Sequence, residues 1–224
     1  GFPWSALMVE RSRRSVGATV AAVRAALQSG VAANLAGGTH HAYRNRGSGF
    51  CVFNYSAIAA RVLQKEIHPK LQVAIVDLDV HQGNGTASIL QNDASIFTLS
   101  IHGENNFPFT KEESDLDIGL PNGCEDSDYL SALHQGLEML NRFKPDFIIY
   151  LAGADPHEGD RLGKLSISKD GIRQRDEYVF QYGLDHQIPI AFSMAGGYGK
   201  EIQSTVAIHF QTIQTALRFQ QQFS

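Results

Sequence analysis

The chain has few cysteines and no long apolar run. Cys51 and Cys124 are the two cysteines among its 224 residues, too few for the disulfide framework typical of small secreted proteins. This scarcity favours a reducing compartment, and we expect a cytoplasmic location. The sequence given also contains no stretch of about 18 apolar residues. We therefore expect no membrane partner.

Charge of one sign is not concentrated in any extended stretch either. The formal net charge is −4, and the lysines and arginines are scattered. Their one short cluster, Arg11, Arg13 and Arg14, is interpreted as the solvated face of a helix. Proteins that bind nucleic acid directly usually present a basic face or stripe. We expect no direct nucleic-acid partner, and the oligomeric state stays open.

Hydrophobic residues, in contrast, make up 43% of the chain and can bury a full core. At about 100–200 residues per domain, the length predicts one domain over residues 1–224. The chain opens on Gly1 rather than Met. We therefore expect this domain to be incomplete at its N-terminus.

Hydrophobic periodicity predicts five strands that alternate with helices. The predicted strands are 31–36, 71–79, 95–101, 146–152 and 188–193. The predicted helices are 4–28 (with a break near 15–17), 54–64, 85–91, 127–143, 168–186 and 201–219. Residues 102–126 carry no apolar periodicity and are predicted to form a long surface loop. This order predicts an α/β fold of three layers, a mostly parallel, doubly wound sheet with helices on both faces.

Three ionisable residues follow the apolar run 73–76 on alternate positions: Asp77, Asp79 and His81. Side chains two apart on a strand share a face, so these groups can converge on one point. Carboxylate and imidazole groups at a strand end make half of a divalent-metal site. The alternative is a polar strand end that leads into a turn.

Other polar groups also follow predicted strands, which would gather them at one edge of the sheet. Asp155 could complete a three-ligand zinc site with Asp79 and His81. One histidine of the pair His40 and His41 could act as a general base, with Asp77 holding a ring nitrogen. Tyr198 could donate a hydrogen bond to an oxyanion. Together these groups suit metal-assisted amide hydrolysis, although each alone also suits an ordinary loop or turn.

Five motifs, in this order, resemble the zinc-dependent histone deacetylase family with its acetylpolyamine amidohydrolase and acetoin-utilisation relatives. They are Gly-Gly-Thr-His-His-Ala at 37–42, Gly-Phe-Cys-Val-Phe-Asn at 49–54, Asp-Leu-Asp-Val-His-Gln-Gly-Asn-Gly at 77–85, Gly-Ala-Asp at 153–155 with Gly-Asp at 159–160, and Gly-Gly-Tyr at 196–198. The resemblance implies an arginase/deacetylase-like fold and removal of acetyl groups from lysine or another amine.

The resemblance also implies residue roles. It makes Asp79, His81 and Asp155 the zinc ligands, and the chemistry of this ligand set also suits Fe²⁺. His41 would be the general base, His40 its electrostatic partner bonded to Asp77, and Tyr198 the group that polarises the carbonyl. A narrow substrate tunnel would be lined by Gly49, Phe50, Phe107, Leu162 and Gly197. A potassium ion would be held by Asp77, Asp79, Ser100 and the backbone of His81 and Ile101.

The chain departs from the family pattern at several positions. Asn84 stands where some members have an acid behind the second histidine, and Gln82 replaces a frequent histidine. Tyr55 replaces a usual aspartate, and Met194-Ala195 replace glycines. The family's first part is absent before Gly1. Asn84 and Gln82 point to the shorter or class II-like members, so histones are not favoured as the substrate.

Three functions stay open at this point. The first is a zinc-dependent deacylase that acts on acetyl-lysine, an acetylated polyamine or another small amide. The second is a binding protein that keeps the metal pocket but turns over little. The third is an arginase-like hydrolase with two metal ions, which would need more carboxylate ligands than the chain offers.

Overall fold

A six-stranded parallel sheet forms the middle layer of the protein, seen in a computed structural model that describes residues 3–223. The strands are β1 (Val31–Asn34), β2 (Val73–Asp77), β3 (Ile96–Gly103), β4 (Leu116–Leu120), β5 (Phe147–Leu151) and β6 (Ile190–Ser193). They lie in the order β1-β6-β5-β2-β3-β4, and all neighbours pair in parallel.

Within the part of the chain that the structure describes, six helices cover the two faces of this sheet. They are α1 (Ala6–Ser29), α2 (Tyr55–Glu66), α3 (Asn84–Leu90), α4 (Asp126–Phe143), α5 (Lys169–His186) and α6 (Ile202–Gln220). On β2, Val73 and Ile75 pack with apolar residues of α1, α2 and α3, whereas Ala74 and Val76 pack in the cluster of α4, α5 and α6. The predicted three-layer, doubly wound α/β fold is therefore confirmed.

The predicted loop 102–126 contains a strand that the sequence analysis missed. Strand β4 pairs in parallel with β3, and no helix separates the two along the chain. It lies at the edge of the sheet, where Asp117 and Gly119 are exposed. Such an edge strand lacks the continuous apolar run of a buried strand. The prediction of five strands, each followed by a helix, was wrong here.

Three further details of the predicted elements were also wrong. Strand β2 ends at Asp77, so Asp79 and His81 lie in the turn that follows it rather than on the strand. Helix α1 runs without the predicted break, and Gly17 lies inside it on an open face, where an added Cβ atom would have no neighbour within 4 Å. His102 belongs to β3 instead of following it.

The neighbouring strands β2 and β5 mark the point where the sheet changes winding direction, because α3 and α5, which follow them, pack on opposite faces. In open α/β sheets such a switch point forms a crevice at the carboxyl ends of the strands. The fully buried Arg175 ties these ends together, since its guanidinium donates to the carbonyl oxygens of Leu78 (3.4 Å) and Gly153 (2.5 Å). Asp176 accepts from the same guanidinium at 2.9 Å and balances its charge.

Within residues 3–223, we find no helix that combines the length and the apolar character required to cross a membrane.

Candidate active site

A cavity of about 660 Å³ opens at the carboxyl edge of the sheet. Segments that follow β1, β2, β5 and β6 contribute polar side chains or backbone to its wall. These lining residues are His40, His41, Asp79, His81, Asp155, Gly196 and Tyr198. The structure thus gathers, around one cavity, most of the groups that the sequence predicts to be functional.

Asp79, His81 and Asp155 form the inner end of this cavity. One ligand atom from each lies within 4.8 Å of the other two. Nδ1 of His81 is 2.9 Å from Oδ1 of Asp79 and 3.2 Å from Oδ2 of Asp155. The segments after β2 and β5 therefore bring two carboxylates and one imidazole nitrogen to a single point.

Burial and close contact shift the pKa values of all three groups of this cluster. Burial raises the pKa of Asp155, and the nearby Asp79 carboxylate raises it further. Burial opposes ionisation of Asp79 too, but His40 and His81 hold the pKa of Asp79 well below its usual range. Burial lowers the pKa of His81, yet the two carboxylates outweigh it and raise that pKa to about 10. The two carboxylates therefore attract positive charge to the centre of the cluster.

Backbone amides fix the orientation of both carboxylates. Asp79 accepts from the backbone N–H of Gly196 at Oδ2 (2.7 Å) and of His81 at Oδ1 (2.9 Å). Asp155 accepts from Val80 at Oδ1 (2.9 Å), whereas its buried Oδ2 accepts no hydrogen bond. A Cβ atom on Gly196 would lie 2.0 Å from that Oδ2, so only glycine fits beside it.

The histidine pair follows β1 and has two different partners. His40 Nδ1 is 2.6 Å from Asp77 Oδ2, and His41 Nδ1 is 2.7 Å from Asn84 Oδ1. Burial lowers the pKa of His40, but Asp77 and Asp79 raise it to about 9 overall. Burial and the charge of His40 lower the pKa of His41 to about 3, despite the hydrogen bond to Asn84. At neutral pH, His40 is a cation and His41 is a neutral imidazole.

Asn54 supports this pair, a role that the sequence analysis did not assign. Its side-chain amide donates to the carbonyl oxygens of His40 (3.2 Å) and Ala42 (3.3 Å). Its Oδ1 accepts from Ala57 at 3.0 Å and caps α2. The sequence signal for this role was the position of Asn54 directly after the Gly-Phe-Cys-Val-Phe run. One residue therefore links the start of α2 to the backbone of the histidines.

Tyr198 lines the cavity and is 39% exposed. Burial of the phenol, together with Asp79 and Asp155, raises its pKa to about 12, which keeps the hydroxyl protonated. Its backbone N–H donates to Asp160 at 2.5 Å, and its carbonyl accepts from Arg161 Nε at 3.0 Å. These bonds hold the backbone of Tyr198 in place.

Apolar residues form the outer wall of the cavity. The Phe107 ring meets the His41 ring edge-on at a centroid distance of 4.9 Å. Phe109, which the sequence analysis did not single out, extends this wall and is 84% exposed. The predicted tunnel residues that line the cavity are Gly49, Phe50, Phe107 and Leu162, whereas Gly197 instead faces Thr205 and His209 of α6.

The residues predicted to bind potassium belong to β2, to the turn that follows it and to β3. Asp77 and Ser100 are register partners on β2 and β3, and both are buried. The backbone N–H of Asp79 donates to Asp77 Oδ1 at 3.2 Å, and Ser100 Oγ is 3.0 Å from His102 Nδ1. Asp77, at the end of β2, and Ser100, within β3, therefore each lie beside a neighbouring polar group.

The sequence profile described as the histone deacetylase domain matches residues 2–213. The chain belongs to this family. It is 48% identical over 210 residues to an uncharacterised protein of Picosynechococcus, covering 93% of this chain and 70% of that protein. It is also 36% identical over 199 residues to histone deacetylase 2 of Arabidopsis thaliana, covering 87% of this chain but 51% of that protein.

Solved structures of the histone deacetylase family share the fold. An acetylpolyamine aminohydrolase from Burkholderia pseudomallei superposes with a TM-score of 0.79 at 25% identity, over 90% of this chain and 61% of that chain. A histone deacetylase homologue complexed with SAHA gives a TM-score of 0.77 at 25% identity, over 94% and 62%. The chain therefore spans about half to two thirds of the length of most of these relatives.

A divalent metal ion, which the family implies, fits the Asp79, His81 and Asp155 cluster. The unpartnered Oδ2 of Asp155 is an oxygen that a cation could use without breaking a hydrogen bond. Two carboxylates and one imidazole are a donor set found for catalytic zinc and for iron(II). The attraction of the two carboxylates for positive charge favours the same conclusion.

The close approach at Gly196 gives a testable prediction. Gly196→Ala should lower the zinc affinity at least about tenfold, because its methyl group would displace the carboxylates and disturbing such supporting contacts typically costs 10–100-fold. A competition titration against a zinc chelator measures the affinity, and thermal unfolding shows that the variant is folded. Gly17→Ala, the same change on the open face of α1, is the control and should keep the parent affinity. Equal affinities for both variants would contradict this account of the site.

Proposed function

We propose that this chain is the catalytic part of a zinc-dependent amidohydrolase that removes the acetyl group from an acetylated lysine or a small acetylated amine. The observation that carries the proposal is the cluster of Asp79, His81 and Asp155 next to a neutral His41 in an apolar-walled cavity. The relatives named for deacetylation of histones and acetylpolyamines support the same class of substrate. All six strands share one sheet, which supports a single catalytic domain over residues 1–224.

Asp79, His81 and Asp155 would hold the zinc ion, which would polarise the acetyl carbonyl and lower the pKa of an attacking water. His41 directs Nδ1 to Asn84, which leaves Nε2 to take the proton of that water and later to deliver it to the leaving amine. His40, held as a cation by Asp77, stabilises the negative charge that develops nearby.

Tyr198 completes this arrangement from another wall of the cavity. Its protonated hydroxyl can donate to the oxyanion that forms on the acetyl carbonyl. Phe50, Phe107 and Leu162 offer an apolar surface for the aliphatic stem of the amine. A potassium ion at the predicted site would offset the repulsion between the buried carboxylates of Asp77 and Asp79.

The direct test is turnover by the purified protein on acetyl-lysine peptides, N-acetylputrescine and N-acetylspermidine. We expect acetate release from at least one of these substrates, and inhibition by a chelator and by a hydroxamate. Asp155→Asn is the control and should abolish turnover. A zinc-loaded protein that binds the hydroxamate but releases acetate from none of the substrates would instead indicate a binding protein. Two transition-metal ions per chain would indicate the arginase-like alternative.

Tyr198→Phe tests the oxyanion role. Because the hydroxyl would act mainly in the transition state, its loss should lower kcat about 100- to 1,000-fold with little change in KM. Zinc content should stay at the parent value, since the phenol is not a ligand. Tyr178→Phe removes a hydroxyl remote from the cavity and should be neutral. If Tyr198→Phe retains kcat within a few-fold of the parent enzyme, the oxyanion role is wrong.

A further inference from the structure

Two departures from the family pattern, Gln82 and Asn84, meet in one hydrogen-bonded chain. Asn84 Oδ1 is 2.7 Å from His41 Nδ1, and Asn84 Nδ2 donates to the Tyr43 hydroxyl at 2.9 Å. That hydroxyl donates to Oε1 of Glu112 at 3.0 Å. We call His41, Asn84, Tyr43 and Glu112 the Tyr43 relay. It connects the cavity to a half-buried carboxylate in the segment before β4.

Gln82 holds the outer end of the Tyr43 relay in place. Its Oε1 accepts from the backbone N–H of Glu112 at 2.9 Å, and its Nε2 donates to the carbonyl oxygen of Glu112 at 2.7 Å. The same Nε2 donates to Asp117 of β4 at 2.8 Å. Gln82 is fully buried, so these bonds form away from water. The backbone of Glu112 is therefore fixed at the position from which its side chain reaches Tyr43.

The Tyr43 relay has only one consistent set of hydrogen-bond directions. An ionised carboxylate only accepts, so Glu112 takes the single hydroxyl proton of Tyr43. The hydroxyl can then only accept from Asn84, which turns the Asn84 NH₂ group towards Tyr43 and the amide oxygen towards His41. His41 must therefore carry its proton on Nδ1, and its Nε2 has a free lone pair.

An asparagine alone does not impose this direction. Its amide is nearly symmetric in shape, and a flip would present NH₂ to His41 and place the imidazole proton on Nε2. An aspartate at position 84 would accept a hydrogen bond from His41 Nδ1 in either orientation. Its orientation would not have to be fixed by other residues. Because position 84 holds an asparagine instead of an acid, other residues must fix the orientation of its amide. Tyr43 and Glu112 fix this orientation.

We propose that Tyr43 and Glu112 are positioning residues that select the tautomer of His41 with a free Nε2. This inference rests on the proposed function, because a free Nε2 matters only if His41 is the general base. Some relatives have a carboxylate directly beside this histidine. Here the carboxylate is that of Glu112, which acts on His41 through the phenol of Tyr43 and the amide of Asn84.

The test combines a spectroscopic measurement with kinetics on the zinc-loaded protein. In ¹⁵N-histidine-labelled parent protein, two-bond ¹H–¹⁵N spectra should show the His41 signal, assigned with His41→Asn, protonated at Nδ1. Tyr43→Phe should convert this signal into a mixture of both tautomers. It should also lower kcat about tenfold with KM within twofold, the lower end of the range for lost supporting hydrogen bonds.

Glu112→Gln keeps an acceptor but removes the charge, and it should lower kcat about threefold, because a charged acceptor roughly doubles the strength of a hydrogen bond. Glu113→Gln is the matched control, with the same charge change at the next, exposed position, and should match the parent. Tyr43 and Glu112 act in series, so the double variant Tyr43→Phe/Glu112→Gln should lose no more activity than Tyr43→Phe alone.

An unchanged His41 tautomer in Tyr43→Phe would overturn the inference, as would equal kcat values for Glu112→Gln and Glu113→Gln. If Tyr43→Phe does not fold, the His41 tautomer and kcat are compared between Glu112→Gln and Glu113→Gln, and this comparison decides. If the parent releases no acetate from any tested substrate, the proposed function fails, and the spectra still decide whether Tyr43 and Glu112 select the tautomer.

Discussion

Two carboxylates and an imidazole are buried in contact with one another at the end of the sheet, and one carboxylate oxygen has no hydrogen-bond donor. Burying charged groups is costly unless they are paired or hold a metal ion. A cation between Asp79, His81 and Asp155 would relieve this cost. Surrounding residues orient the groups of this cluster, so the rest of the site depends on this one constraint.

The scaffold keeps the cluster assembled by joining strands that are distant in sequence. Asp79 and Asp155 belong to the segments after β2 and β5, on either side of the switch point. Arg175 bonds to the backbone just before both, and Gly196 after β6 donates its backbone N–H to Asp79. A shift of either strand end would move Asp79 or Asp155, so the bonds of the fully buried arginine have a structural role that offsets its desolvation cost.

Much of this arrangement follows from local sequence patterns. Buried parallel strands have continuous apolar runs, so β2 and β5 could be predicted, and the polar residues after them could be placed at one edge. Strand β4 could not be predicted, because an exposed edge strand has no continuous apolar run. The Tyr43 relay joins Tyr43 to Glu112, 69 residues apart, through side-chain geometry that no spacing rule encodes. Arg175 likewise acts on backbone oxygens, which carry no sequence signature.

The central claim is that the Asp79, His81 and Asp155 cluster is built for one divalent cation, and thermal unfolding with and without zinc tests it most directly. Zinc at 100 times its dissociation constant should stabilise the metal-free protein by about 2.7 kcal/mol, a rise in Tm of roughly 5–10 °C. Asp155→Asn should lose this rise. A parent protein whose Tm is the same in zinc and in chelator, or a variant that keeps the full rise, would contradict the account.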